Sequence, residues 1–490
     1  MRRLAGLAPL LALVLLAAAC TMGPDYERPP MEPPPSYAHA PAAVPEAANT
    51  AWWTQFGDPV LDGLLADALA NNRSVKIAAA NVEAAMAVLT QTKAPLYPQV
   101  GYGATASRQK ASEVNATGWN ALVPNPYDAY QVAGNASWEL DLWGRVRRLS
   151  EAARADLFAT EEARRGVVLS LVATVAGNYL QLRGLDEQLE VARRSLETYG
   201  ESVRIFELQF KHGLVSQMTV EQARTQYETA AAAVPQIESQ IVQTENGLSI
   251  LLGRPPGEIP RGKSIRELAV PAVPADLPSS LLESRPDLRQ AEQALVAANA
   301  RIGAAKALYF PTISLTGVLG TSSADLSNLF KGPAGVWSWA GSITGPLFAG
   351  GAIKGAVRQS EAGRTAALLA YRNAVESAFA DVENALVSRT KLAEETEART
   401  RLVKAAREYE RLANLQYKGG WAPYATVLQA QEKLFPAELD LARARTALLG
   451  SLVSIYRAMG GGWVAEADRL TAPTAAAPAP GAAPEPPRAP

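Results

Sequence analysis

Apolar residues between positions 185 and 251 recur at heptad spacing on both sides of a short break. In the first part they fall alternately four and three residues apart, at Leu185, Leu189, Ala192, Leu196, Tyr199, Val203, Phe206 and Phe210. After the break they are Val220, Ala223, Tyr227, Ala230, Val234, Ile237, Ile241, Leu248 and Leu251, with Thr244 as the one polar member. This spacing predicts two long helices that a tight glycine-containing turn folds into an antiparallel coiled coil.

The hairpin is predicted a second time, because the chain is internally duplicated. A shift of 207 positions carries Gln209-Phe210-Lys211-His212-Gly213 onto Gln416-Tyr417-Lys418-Gly419-Gly420. The second returning arm has its own seam, at Val427, Ala430, Leu434, Ala437, Leu441, Ala444, Leu448, Ser451, Ile455 and Ala458. The second outgoing arm is weaker, since Leu402, Tyr409 and Leu412 give only a blurred heptad. Two such units indicate a repeat architecture.

Each repeat also contains two stretches in which apolar and polar residues alternate. Tyr97-Pro98 and Phe310-Pro311 end helical segments and open these stretches. The alternating residues of one face are Val100, Tyr102, Ala104 and Ala106; Tyr130, Val132, Gly134, Ala136, Trp138, Leu140 and Leu142; Ile313, Leu315, Gly317 and Leu319; and Trp337, Trp339, Gly341 and Ile343. Roughly 9–11 residues are enough for a tilted strand to cross a bilayer. The pattern therefore predicts four membrane strands, the alternative being a soluble, half-buried sheet.

Four strands cannot close a barrel within one chain, and lipid does not tolerate an open sheet edge. Three chains would supply twelve strands, enough for a barrel with an aqueous lumen. The predicted fold is therefore mainly α with a transmembrane β part: internally duplicated, with a 12-stranded barrel closed by a trimer and continued by a periplasmic tube of long coiled-coil helices. A continuous helix from Arg145 to Phe210 would be roughly 100 Å long. Pro235 and Pro436 are expected to kink the returning arms.

The N-terminus indicates export and a lipid anchor. Met1-Arg2-Arg3 precedes an apolar run that ends in Ala17-Ala18-Ala19-Cys20. This resembles a bacterial lipoprotein signal, in which the cysteine is lipidated and becomes the mature N-terminus; an ordinary signal peptide is the alternative. Cys20 is followed by Thr21. In Gram-negative lipoproteins an Asp at this position tends to hold the protein at the inner membrane, so the outer membrane is expected here. The remaining boundaries place a Pro-rich tether at residues 20–51 and a disordered Ala/Pro tail at 465–490.

Composition argues against several classes of protein. The net charge of −1 argues against a nucleic-acid partner, and 2 His with 1 Cys give no His-rich metal site and no internal disulfide. No cofactor is expected. Residues 257–264 match the phosphate-loop pattern. However, Pro260 has no backbone N–H to offer a phosphate, and no buried strand is predicted directly before these residues. No nucleophile–base pair or carboxylate dyad stands out, so an enzyme is not expected.

Several motifs together resemble the TolC-like outer-membrane efflux family, in its lipoprotein branch that serves resistance–nodulation–division pumps. They are Cys20-x-x-x-Pro24-x-Tyr26-x-x-Pro29, Trp138-Glu139-Leu140-Asp141-Leu142-Trp143-Gly144-Arg145, Gly213-Leu214-Val215-Ser216, Leu428-Gln429-Ala430-Gln431 and Ala458-Met459-Gly460-Gly461-Gly462-Trp463. The resemblance implies a passive homotrimeric duct in outer-membrane lipid, which expels small molecules that an inner-membrane pump delivers through a periplasmic adaptor. The alternatives are a periplasmic adaptor or scaffold that uses coiled coils alone, and a protein-secretion conduit. An adaptor would show one hairpin flanked by small β domains, whereas this sequence predicts two hairpins and four membrane-length strands.

The resemblance also implies roles for particular residues. The adaptor would dock at the two tips, on Lys211, Gly213, Val215 and Ser216 and on Lys418, Gly419 and Gly420. Many relatives close the periplasmic mouth with a Leu and an Asp, and the matching positions here are Ala425 and Gln429. A ring of Gln carries no charge, so Glu432, one turn later, is the acidic candidate.

The domain boundaries complete the expected organisation. A signal peptide is expected at residues 1–19. The two repeats are expected at residues 52–260 and 281–464, and a connector at residues 261–280 joins them.

Overall fold

The computed structural model describes residues 21–31, 51–112, 114, 124–271 and 284–460. These residues form seven α-helices and four strands. The helices are α1 (Pro59–Asn71), α2 (Arg73–Lys93), α3 (Arg145–Lys211), α4 (Gln217–Leu251), α5 (Pro286–Ala307), α6 (Ala352–Lys418) and α7 (Tyr424–Ala458). The strands are β1 (Gln99–Gln109), β2 (Tyr127–Leu140), β3 (Thr312–Ser323) and β4 (Gly335–Thr344). A mainly helical fold with four strands confirms the predicted fold class.

The duplication is visible in the helix lengths. The outgoing helices α3 and α6 contain 67 residues each, and the returning helices α4 and α7 contain 35 each. α6 begins and ends 207 positions after α3, and α7 begins and ends 207 positions after α4. This is the same shift that the sequence motifs show. Pro235 and Pro436 lie inside α4 and α7, and both helices continue past them. Within the described ranges, no helix is both long and apolar enough to cross a membrane.

The chain forms two compact units, and each contains segments of both repeats. Of the residues that the structure describes, those within 1–30, 82–160 and 290–372 form unit 1, and those within 31–81, 161–289 and 373–490 form unit 2. Unit 1 contains a single antiparallel sheet in the order β1-β2-β3-β4. The two predicted hairpins are therefore joined edge to edge through β2 and β3, a pairing that the sequence pattern alone does not specify.

Unit 2 is held together by an aromatic core and a buried carboxylate. Trp52 stacks on Tyr456 with ring centroids 4.9 Å apart. Asp58 is fully buried and caps α1, since its side chain accepts a hydrogen bond from Val60 N. The same carboxylate accepts hydrogen bonds from the Tyr179 hydroxyl at 2.7 Å and from the Lys263 backbone N–H at 3.1 Å. One side chain thus ties α1, α3 and the connector together.

The connector interactions also explain why residues 257–264 do not form a phosphate loop. Gly262 N donates to the Tyr179 hydroxyl, Lys263 N donates to Asp58, and Ser264 N donates to Glu267. A phosphate site needs converging, unoccupied N–H groups at the start of a helix. Here those groups are already used inside the fold, and no helix begins at Ser264.

Candidate membrane surface and coiled-coil tips

The strand register sorts side chains of the sheet in unit 1 onto two chemically different faces. Tyr102 pairs with Gly134, Gly134 with Leu319, and Leu319 with Trp337, so these four residues form one row across the sheet. The next row on the same face is Val100, Ala136, Gly317 and Trp339. These two rows contain only apolar residues and glycine.

Small and polar residues dominate the opposite face. One row there is Gln99, Ser137, Thr316 and Ala340, and the next is Gly101, Asn135, Val318 and Ser338. The large apolar side chains of the first face are left exposed, with Tyr102 at 94%, Trp337 at 74% and Trp339 at 78%. An apolar outer face with aromatic residues and a polar inner face is the pattern of a strand sheet between lipid and an aqueous lumen.

Both edges of the sheet are unpaired in the described part of the chain. β1 pairs only with β2, and β4 pairs only with β3. Every residue of β4 is exposed, as is nearly every residue of β1. Such edges present unsatisfied N–H and C=O groups, which lipid does not tolerate. The sheet is therefore complete only when another strand covers each edge.

The segment that follows the predicted lipidation site is fixed at one end of this sheet. Cys20 itself lies outside the described residues. Met22 N donates to Trp143 O at 3.1 Å, directly after β2, and Thr21 lies against Gly144. Arg148 donates to Met22 O at 3.1 Å and to the Asp25 carboxylate at 2.7 Å. Thr21, the residue after the predicted lipidation site, therefore lies beside the turn that follows β2.

The first coiled-coil tip is a glycine turn followed by a capped helix. Gly213 has a φ of +73°, a backbone conformation that disfavours other residues. Its N–H donates to Phe210 O, and the Leu214 N–H donates to Gln209 O, so the last carbonyls of α3 are satisfied. The Ser216 side chain then caps α4 by accepting from Thr219 N. Leu214 is left 73% exposed.

The second tip repeats this geometry with different side chains. Gly420 has a φ of +74°, its N–H donates to Tyr417 O, and the Trp421 N–H donates to Gln416 O. Trp421 is the counterpart of Leu214 and is 87% exposed. Sequence analysis missed this exposed pair, although the shift of 207 positions relates the two residues. Each tip therefore carries one large exposed apolar side chain directly after its turn glycine.

The two hairpins meet in an apolar cluster next to the tips, which we call the tip cluster. Its buried members are Phe206, Val220, Ala223, Ala413, Tyr424, Val427, Leu428 and Ala430. Val215, one of the predicted docking residues, packs against this cluster together with Val203 and Tyr417. Lys211, Gly213, Lys418, Gly419 and Gly420 are exposed, and Ser216 is exposed as well. Most of the predicted tip residues thus lie on the surface, whereas Val215 is partly buried.

The predicted gate residues share one face of α7. Ala425, Gln429 and Glu432 are exposed, and they are separated by four and three positions. Tyr424, Val427 and Leu428, which lie between them, are buried in the tip cluster. Pro436 continues the exposed face one turn further. The structure therefore groups the three predicted gate residues on one exposed stripe, in which Glu432 is the carboxylate.

Comparison with known proteins identifies the class. The family model of the outer membrane efflux protein matches residues 64–254 and 277–461, one match for each repeat. The chain belongs to this family of outer-membrane efflux channels, which confirms the resemblance seen in the sequence motifs.

Individual relatives are similar over nearly the full length. The probable efflux pump outer membrane protein TtgC of Pseudomonas putida is 35% identical over 467 residues, which cover 93% of this chain and 96% of the relative. The cation efflux system protein CusC of Escherichia coli is 33% identical over 460 residues, 92% of this chain and 97% of CusC. The open-state MtrE outer membrane channel of Neisseria gonorrhoeae superposes with a TM-score of 0.82 at 35% identity, covering 91% of this chain and 99% of MtrE.

Proposed function

We propose that three copies of this chain form a passive duct that exports small molecules through the outer membrane. The single observation that carries the proposal is the sheet of unit 1, which has one apolar face, one polar face and two uncovered edges. Pairing β4 of one copy with β1 of the next covers every edge at once and gives twelve strands. The apolar face then meets lipid and the polar face lines the lumen.

The remaining parts of the assembly follow from this arrangement. An inner-membrane pump of the resistance–nodulation–division class supplies the energy, and a periplasmic adaptor docks on the coiled-coil tips. Leu214 and Trp421 are the apolar anchors of that docking surface, flanked by Lys211 and Lys418. A lipid on Cys20 adds a second attachment to the outer membrane. Ala425, Gln429 and Glu432 line the periplasmic mouth, and no catalytic step is involved.

The decisive experiment is cross-linking between neighbouring copies. Thr105→Cys on β1 is combined with Ser338→Cys or Ala340→Cys on β4, all three on the polar face. Light scattering in mild detergent is expected to give three chains per particle, and oxidation is expected to give covalent dimers and trimers. Gln131→Cys on the central strand β2 replaces Thr105→Cys in the control pair, which is expected to form no cross-link between copies. A monomeric mass would refute the duct.

Docking is tested separately at the tips. Leu214→Ser with Trp421→Ser is expected to abolish drug export in cells while the trimer mass stays unchanged, because both side chains are exposed in the single chain. Ile77→Ser, at a 62% exposed apolar residue of α2, is the control and is expected to retain export. Full export by the tip variant would contradict docking through these anchors.

A further inference from the structure

A groove of about 570 Å³ lies between α3, α6 and α7 in unit 2. Its floor is apolar, since Val191, Val403 and Leu441 are 2%, 3% and 6% exposed. Arg266 from the connector reaches the same groove. The volume is within the range of pockets that hold small ligands, roughly 300–1,000 Å³.

One buried carboxylate in this groove is shared by two guanidinium groups. Glu187 on α3 is 7% exposed, and its Oε1 accepts Arg266 Nε at 2.9 Å and an Arg445 N–H at 3.1 Å. The two arginines come from the connector and from α7. One negative charge therefore faces two positive charges, and the excess charge remains in the groove.

A second buried carboxylate has the same arrangement. Glu438 on α7 is 8% exposed and accepts Arg407 Nε at 2.8 Å from α6 and an Arg194 N–H at 3.2 Å from α3. Lys404, one turn before Arg407, lines the groove and has no ion pair with any residue in the described ranges. Arg411 also lines the groove, and its charge is balanced by Glu408.

The charges do not cancel. Apart from the balanced Arg411–Glu408 pair, the lining residues Arg266, Arg407 and Arg445 with Lys404 provide four positive charges, whereas Glu187 and Glu438 provide two negative ones. The chain as a whole has a net charge of −1, so this excess is local. Guanidinium groups bind carboxylate and phosphate oxygens in bidentate geometry, and such charge-assisted bonds are stronger where water is partly excluded.

One further atom points to a ligand. Glu187 Oε2 is buried and has no hydrogen-bond partner among the residues that the structure describes. A buried acceptor without a donor is costly, so the occupant of the groove is expected to supply an O–H as well as negative charge. Hydroxy-polycarboxylates and partly protonated phosphates have both.

We propose that this groove binds a small multivalent oxyanion that carries a hydroxyl group. The anion contacts Lys404, Arg407 and Arg445 with its charged oxygens and donates its hydroxyl to Glu187 Oε2. It thereby connects α6 and α7 to α3, and the site is independent of the proposed export function. Carboxylate and phosphate anions share this chemistry, and two probes separate them.

The test uses the full-length protein in mild detergent. Citrate and pyrophosphate are titrated calorimetrically and in thermal unfolding, against sodium chloride at matched ionic strength. At saturation, one or both anions are expected to raise the unfolding midpoint by roughly 2–4 °C beyond the chloride control. Binding of citrate alone would identify carboxylates as the ligand class, and binding of pyrophosphate alone would identify phosphates. The absence of any shift beyond chloride would overturn the proposal.

Paired variants locate the site. Lys404→Gln with Arg407→Gln is expected to weaken binding at least about tenfold, because two of the three proposed charge-assisted contacts are weakened. The matched control is Lys391→Gln with Arg401→Gln, two exposed residues of the same helix that do not line the groove. The control is expected to bind as the unaltered protein does. Equal losses in both variants would show general charge attraction and would contradict a site in this groove.

Discussion

The two coiled-coil hairpins have helices of identical length but bury very different side chains. The outgoing helix of the first hairpin, α3, buries Tyr199 and Phe206, at 5% and 2% exposure. The equivalent positions of α6 are Ala406 and Ala413, which are buried as well. The returning helices show the reverse, because α7 buries Tyr424 and Phe435 where α4 has the exposed residues Gln217 and Glu228.

The difference shows that the repeats have become complementary partners. Phe206 packs on Tyr424 with ring centroids 4.0 Å apart, and Tyr199 meets Phe435 edge-on at 6.3 Å. The large residues of the first outgoing helix thus contact the large residues of the second returning helix. The equivalent positions of the other two helices contribute no ring to these contacts, because they hold the buried Ala406 and Ala413 and the exposed Gln217 and Glu228. Buried positions along α7 accordingly outnumber those along α4.

The largest expected effect is the loss of an aromatic ring from the tip cluster. Phe206→Ala removes a side chain that contacts Tyr424 and lies within reach of Tyr417. We expect the free energy of unfolding to fall by about 3–5 kcal/mol, the usual cost of such a truncation in a packed core. Chemical denaturation followed by circular dichroism measures it. Phe210→Ala, on the same helix but 45% exposed, is expected to cost much less.

An ion pair gives the second comparison between the hairpins. Glu438 in the second hairpin is buried and shared by Arg407 and Arg194, whereas the Arg193–Glu238 pair of the first hairpin is exposed on both sides. Glu438→Gln is expected to cost about 1–3 kcal/mol, because two arginines lose the carboxylate between them. Glu238→Gln is expected to cost about 0–1 kcal/mol. Equal losses in denaturant midpoints would show that burial does not distinguish the two pairs.

The turns at the tips are where the repeats remain alike. Gly213→Ala and Gly420→Ala each force a side chain into left-handed backbone, and nothing lies within 4 Å of either added Cβ. We therefore expect a loss of about 1–2 kcal/mol at each tip, from backbone strain alone. Gly419→Ala, next to the second turn but without a positive φ, is the control and should be nearly neutral. A large difference between the two tips would show that their turns are not equivalent.

The sequence predicts the helices and strands well because their periodicities are strong. The heptads of α3 and α4 and the alternation in the strands both report a single buried or apolar face. The blurred seam of α6 was the exception. Leu402, Tyr409 and Leu412 are exposed, and the buried positions are Val403, Ala406 and Ala413, as the shift of 207 from the first seam requires. A seam made of alanine has too little apolar contrast to be recognised from periodicity.

Features that depend on tertiary pairing could not be predicted from local patterns. The β2–β3 pairing joins strands from different repeats, and the carboxylate of Asp58 meets Tyr179 and Lys263 from distant parts of the chain. The exposed side chains of Leu214 and Trp421 could not be predicted, because exposure at a turn is set by the backbone and leaves no periodic signal. The exposed stripe on α7 was predictable, since helical spacing alone places the predicted gate residues Ala425, Gln429 and Glu432 together.

The smallest expected effect concerns Glu410, which occupies in α6 the position of Val203 in α3. Burial raises the pKa of Glu410, and the charge of Glu438 raises it further, against a hydrogen bond from Gln431. Because the folded state then binds a proton more tightly than the unfolded state, stability falls as pH rises through the interval between the two pKa values. The charged carboxylate is thus destabilising at neutral pH, and this penalty is absent below the unfolded pKa of about 4.3.

Glu410→Gln removes this penalty while keeping an acceptor for Gln431. The variant is expected to be slightly more stable than the unaltered protein at pH 7, by less than about 1 kcal/mol, and the advantage is expected to disappear near pH 4. Denaturation midpoints measured across that pH range provide the check, with Glu408→Gln, at an exposed carboxylate of the same helix, as the comparison. Because the pKa of Glu408 is lowered by its hydrogen bond to Arg411, its replacement should act in the opposite direction. If the stability advantage of Glu410→Gln persists unchanged at pH 4, it does not come from the buried charge. Packing would then explain why Glu410 is less favourable in α6 than Val203 is in α3.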